Sequence, residues 1–187
     1  EINVVGGTYT TRSDTFRFFA GNASYLTKVS MEQVTATGIR AVVMDDCDAE
    51  IANSDFYGTQ RHLDDYENSG AIMVSGGKVT LNNVTAKAVS ENSELASIGM
   101  EGGTYYSWIN NSHYGTTEGR LTLNDVTTKS GILNQQELTI NGGTHTSDGY
   151  AVYTERIGQT AATTRIHGGT FISTNTENGS DNSTIDI

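Results

Sequence analysis

Leu81-Asn82-Asn83-Val84-Thr85 is one aliphatic residue, two polar turn-forming residues, a variable residue and a threonine. Nearly the same order recurs upstream at Val4-Val5-Gly6-Gly7-Thr8, Met31-Glu32-Gln33-Val34-Thr35 and, with aspartate in the last place, Ile51-Ala52-Asn53-Ser54-Asp55. It recurs downstream at Met100-Glu101-Gly102-Gly103-Thr104, Leu123-Asn124-Asp125-Val126-Thr127, Ile140-Asn141-Gly142-Gly143-Thr144 and Ile166-His167-Gly168-Gly169-Thr170. Successive elements begin 17 to 30 positions apart. A repeat of that period marks small supersecondary units that cannot bury an apolar face alone and must stack on one another. The expected fold is therefore a solenoid of about eight coils.

A second regularity concerns volume. Side chains two apart on a strand face the same side. Where the variable residue is Gly or Ser, the residue two positions on is large: Gly7 with Tyr9, Ser54 with Phe56, Gly103 with Tyr105, Gly143 with His145, Gly169 with Phe171. Where it is Val, the partner is small: Val34 with Ala36, Val84 with Ala86, Val126 with Thr128. A close-packed interior demands such trading, because a void or an overpacked site each costs on the order of 1–5 kcal/mol. Both positions are expected to point inward in every coil.

Between these elements lie short apolar runs that begin at glycine: Gly38 to Val43, Gly70 to Val74, Gly131 to Leu133 and Gly149 to Tyr153. Two or three short strands joined by Gly, Asn, Asp and Ser turns fill a coil of this length. No stretch has the length and 3.6-residue periodicity of a helix.

The stretches Val79 to Ala86 (VTLNNVTA) and Leu121 to Thr128 (LTLNDVTT) resemble the strand-turn-strand repeat of right-handed parallel β-helices. That fold characterises the pectin-lyase-like superfamily, which includes polysaccharide lyases, tailspikes and autotransporter passengers. The resemblance spans the chain as a single domain, residues 1–187, and implies an all-β, right-handed parallel β-helix (β-solenoid). Solenoids host unrelated activities, so the resemblance speaks to architecture and leaves function to particular sites.

The chain opens at Glu1-Ile2-Asn3-Val4, already within an element, and Ile187 falls where a ninth would begin. Neither end reads as the polar cap that a terminal coil needs, so the expectation is an uncapped segment of a longer rod. Proline is absent and glycine numbers 21, which suits strands that use every backbone N–H and turns that need left-handed conformations. The net charge of −11, from 22 acidic and 11 basic residues, disfavours nucleic acid and anionic membrane surfaces as partners. No apolar stretch is long enough to insert directly into a membrane. Cys47 is the single cysteine, set among Asp45, Asp46 and Asp48, where like charge disfavours a thiolate; it reads as an inert small residue.

Three features carry candidate chemistry. Asp45, Asp46, Asp48 and Glu50 form the densest acidic cluster, and the first three are a candidate Ca²⁺ site or an acid and base pair acting on a glycan. Polygalacturonases of the superfamily carry paired aspartates on neighbouring coils, but the accompanying residues are not matched here: His167-Gly168 lies inside a repeat, and Arg165 has no lysine beside it. The simpler reading is a solvated acidic turn. Residues 57 to 69 form the longest coil and read as a lateral loop, in which Tyr57, Asp64, Asp65 and Tyr66 combine aromatic surface with hydroxyl-binding carboxylates. The repeated threonines predict an outward ladder. Ice binding would need a second threonine two residues on; Thr10, Thr37 and Thr146 fit, but Tyr57, Lys87, Tyr106, Lys129 and Ile172 stand there in the other elements, so β-propensity accounts for the row better. His62, His113, His145 and His167 lack metal-ligand spacing, and no catalytic set is discernible.

The expected function is that of an extracellular segment at the bacterial cell surface, resembling an autotransporter passenger. It would act as an adhesin or self-association stalk that binds a host or bacterial surface glycan or protein, without a cofactor. The alternatives are part of a polysaccharide lyase or glycoside hydrolase acting on acidic glycans, and a purely structural stalk.

Overall fold

The computed structural model describes residues 1–20, 26–58, 71–88, 109–112, 118–129, 131–147, 150–156, 161–174 and 184–186. Among these residues the chain is all strand, with no helix, and every strand pairing is parallel. Three rows of pairing account for the curled sheet.

The first row stacks β3 (Phe16–Phe19), the start of β6 (Val42–Ala52), the start of β8 (Ile72–Asn82), β10 (Ile109–Ser112), β13 (Ile132–Asn134), β15 (Val152–Thr154) and β17 (Ile185–Asp186). The second stacks β1 (Ile2–Val5), β4 (Thr27–Glu32), the ends of β6 and β8, β11 (Arg120–Asn124) and the starts of β14 (Glu137–Ser147) and β16 (Thr163–Ser173). The third stacks β2 (Thr8–Thr10), β5 (Thr35–Gly38), β7 (Asp55–Gly58), β9 (Thr85–Ala88), β12 (Val126–Lys129) and the ends of β14 and β16.

The long strands turn from one row to the next within themselves. In β6 the bend is at Asp46 (φ 51°), and in β8 it is at Gly76 and Gly77 (φ 83° and 81°). Gly77 pairs with Cys47, and a β-carbon there would strike the Cys47 backbone, so the bend at this rung requires glycine. The corner between the second and third rows uses a left-handed residue at Gly6, Gln33, Asn53, Asn83 and Asp125, at φ 50–69°, and positive-φ glycines at Gly7, Gly142, Gly143 and Gly169 in the glycine-bearing elements. Asn and Asp tolerate that region because their short polar side chains bond locally.

That corner also carries an amide ladder. Asn124 donates from Nδ2 to Asn82 Oδ1 (2.7 Å), Asn141 donates to Asn124 Oδ1 (2.8 Å), and Asn82 donates to Glu50 (3.1 Å). Beside it Asn83 donates to Asn53 (2.9 Å). A second stack lies inside, where the buried Asn111 donates to Asn134 (2.8 Å) and Asn134 to Thr164 (3.0 Å).

The aliphatic residue that opens each described element lies in one internal column: Val4, Met31, Ile51, Leu81, Leu123, Ile140 and Ile166, in register. All from Met31 to Ile140 are fully buried. The volume trade holds in these coils. Val34, Ser54, Val84 and Val126 are buried, and so are Ala36, Phe56, Ala86, Thr128 and His145. A β-carbon on Gly7 would lie 2.9 Å from the Tyr9 ring, and one on Gly169 3.3 Å from the Phe171 ring, so each ring occupies the space its own glycine leaves.

Register adds a trade that a single coil does not reveal. The column reads Tyr9, Ala36, Phe56, Ala86, Thr128, His145, Phe171; its members from Ala36 to His145 are buried while Tyr9 in the first coil is exposed, and Phe56 lies between two alanines. Volume is therefore balanced between stacked coils as well as within each.

Seven of the eight repeat elements pair among the described residues. The eighth, Met100 to Thr104, lies outside them together with the Gly103–Tyr105 pair. β8 and β9 pair directly with β11 and β12, so in the third row Thr85 meets Thr127.

Candidate functional site

Three of the residues singled out in the lateral loop, Asp64, Asp65 and Tyr66, lie outside the described residues. Tyr57 is described, and it stands half-exposed on the outward side of the third row. Outward positions there form two columns. The first is Thr8, Thr35, Asp55, Thr85, Thr127, Thr144 and Thr170, in register. Neighbouring rungs of a sheet lie about 4.8 Å apart.

In the second column Thr37 is followed by Tyr57 and then Lys87, and the register of β9 with β12 places Lys129 on the next rung. The Lys87 ammonium lies 4.6 Å from the Tyr57 ring centroid. This cation–π contact is worth about 0.5–1 kcal/mol at an exposed site and favours one orientation of the ring. Among the described residues this face presents one tyrosine, one carboxylate (Asp55), two ammonium groups and a run of hydroxyls on a parallel sheet. Such a surface offers donors and acceptors at regular spacing to a polyhydroxylated ligand.

The acidic cluster does not converge. Asp45 lies on the first row, where Arg17 approaches its carboxylate at 3.7 Å. Burial outweighs the arginines and raises its pKa. Asp46 sits at the bend, mostly buried. Asp48 lies exposed on the second row, in register between Lys28 and Lys78. The bend turns consecutive side chains to different sides. Among the described residues no group of three His, Cys, Asp or Glu is placed to hold a metal ion. Cys47 is buried, and its thiol is pushed up to about 12 by burial, with Asp45 and Asp46 adding to the shift.

Sequence reasoning missed three arrangements. The bidentate pair of Arg40 with Asp14 (both bonds 2.7 Å) ties the first coil's turn to the second coil. The interior stack of Asn111 and Asn134 had no signal, since the two residues are ordinary in composition. Val43, Met73 and Leu133 lie on the outward side of the first row and are nevertheless buried. The amide ladder did have a signal: asparagine follows the aliphatic residue at the same repeat position in Leu81-Asn82, Leu123-Asn124 and Ile140-Asn141.

No protein-family model, no curated protein and no solved structure matches this chain.

Proposed function

We propose that this chain is a right-handed parallel β-helix at the bacterial cell surface. Its activity is adhesion or self-association, as in an autotransporter passenger, through the outward face of the third row. Right-handedness is supported by the general rule that parallel crossover connections coil that way. The observation that carries the functional reading is the Tyr57–Lys87 contact beside a column of threonines. An aromatic oriented by Lys87 beside Asp55, on paired strands, suits recognition of a surface glycan or a like molecule. Each rung supplies only weak contacts, so avidity along the rod, or between rods, provides useful affinity.

Display of the chain on a non-adherent cell tests this reading. Tyr57→Ala with Lys87→Ala, and separately Asp64→Ala with Asp65→Ala and Tyr66→Ala, should weaken adhesion or aggregation. Melting temperature should move little, since surface changes fall within about ±0.5 kcal/mol. Release of reducing or unsaturated ends from an acidic glycan, abolished by Asp45→Ala with Asp46→Ala, would overturn the adhesin in favour of a polysaccharide lyase or hydrolase.

A further inference from the structure

His145 occupies a column that the other coils fill with Tyr, Ala, Phe or Thr, and it is completely enclosed. Its Nε2 lies 3.2 Å from the Gly142 carbonyl oxygen, which can only accept, so Nε2 carries the proton. Nδ1 is then the acceptor, and the Thr128 hydroxyl, at 3.1 Å, donates to it. The ring stacks on Phe171 with centroids 5.1 Å apart. A neutral imidazole thus bonds β14 to β12 on one side and packs against β16 on the other.

We infer that His145 is an acid-sensitive latch, whose protonation loosens the packing of β14 and β16 onto the rest of the solenoid. The hydroxyl of Thr128 can rotate to accept from a protonated Nδ1, so the hydrogen bond itself survives. The cost arises because a charge enters an enclosed space where, among the described residues, no carboxylate bonds the ring: Asp125, whose carboxylate lies against Gly142, is exposed. The charged side chains of the strands around it are Lys87 on β9, Lys129 on β12, Glu137 on β14 and Arg165 on β16, and β16 also carries His167; all project from outward positions. Glu137 is taken up by Arg120 at 3.1 Å and by Arg165. Asp125, at the corner before β12, is exposed, and β13 and β15 contribute only Tyr153 as a titratable group.

Burial lowers the imidazole's affinity for a proton, in agreement with this geometry. The sign follows from linkage. A depressed histidine means that the unfolded chain binds more protons than the folded one, so stability rises with pH through that window. The stabilisation is complete above the unfolded value of about 6.5 and is lost as pH falls from there toward the folded value.

Hydrogen exchange and thermal melts between pH 7.5 and 5 provide the test. Within the window the folding equilibrium constant should fall by as much as about tenfold per pH unit. Amides of β14 and β16 should lose protection before those of β6 and β8, because coils of a solenoid open locally. His145→Phe with Thr128→Val retains an aromatic in the column, leaves no buried hydroxyl unpaired and should remove this extra acid sensitivity. Every other titratable group is common to both proteins and cancels in the comparison. An unchanged pH dependence in the double variant would overturn the inference. Should that variant fail to fold, an NMR titration of His145 in the unaltered chain decides. A midpoint below about 6.5, with loss of β16 protection, supports the latch, and a midpoint at or above it with protection intact refutes it.

Discussion

Phe56 is the residue whose removal tests the packing scheme most sharply. It is fully buried, and its column neighbours on both sides are Ala36 and Ala86, also fully buried. Neither alanine can swing a methylene into the space, and both belong to strands held by parallel pairing on their other edges. Phe56→Ala should therefore fall at the upper part of the usual range for such a truncation, about 3–5 kcal/mol. For a chain of this size that corresponds to a fall in melting temperature of about 6–20 °C. Ala86→Phe alone should cost about 1–3 kcal/mol or more, because the new ring meets Phe56 on one rung and Thr128 on the other. Combined with Phe56→Ala, the same ring moves into the vacated volume one rung away. The pair should then show a coupling of at least about 1 kcal/mol in the favourable direction. Urea denaturation of the four proteins gives the cycle, with the slope checked for constancy. Additive effects, or a loss below about 1 kcal/mol for Phe56→Ala, would refute the claim that coils exchange volume across the stack.

Two further expectations follow from the corner between the second and third rows. Gly143→Ala should destabilise by more than about 1 kcal/mol in the same denaturation assay, because φ is 95° and a β-carbon would collide with the Val126 backbone. Asn124→Ala removes both the bond given to Asn82 and the one received from Asn141, and should cost about 1–2 kcal/mol, with Asn124→Asp losing the donated bond but keeping the acceptor.

The repeat itself determined a great deal. Aliphatic, turn, variable and threonine positions recur because every coil meets nearly the same surroundings, so an internal column such as Met31, Ile51, Leu81, Leu123 and Ile140 is legible before any coordinates exist. The inward direction of Ala36, Phe56 and His145 followed from period-2 alternation and the volume trade. The outward direction of Tyr57 followed in the same way. What tertiary structure decided is which coil lies against which, and therefore everything that depends on register. Spacings of 17 to 30 residues leave the stacking partners of each rung open. Only pairing places Lys87 over Tyr57, Phe56 between two alanines, and Thr128 within reach of His145. The aspartates teach the converse: Asp45, Asp46 and Asp48 are neighbours in sequence, yet a left-handed residue at the bend directs them to separate surroundings. Sequence proximity sets composition at a corner, whereas backbone dihedrals and the neighbouring coil set what those side chains can reach.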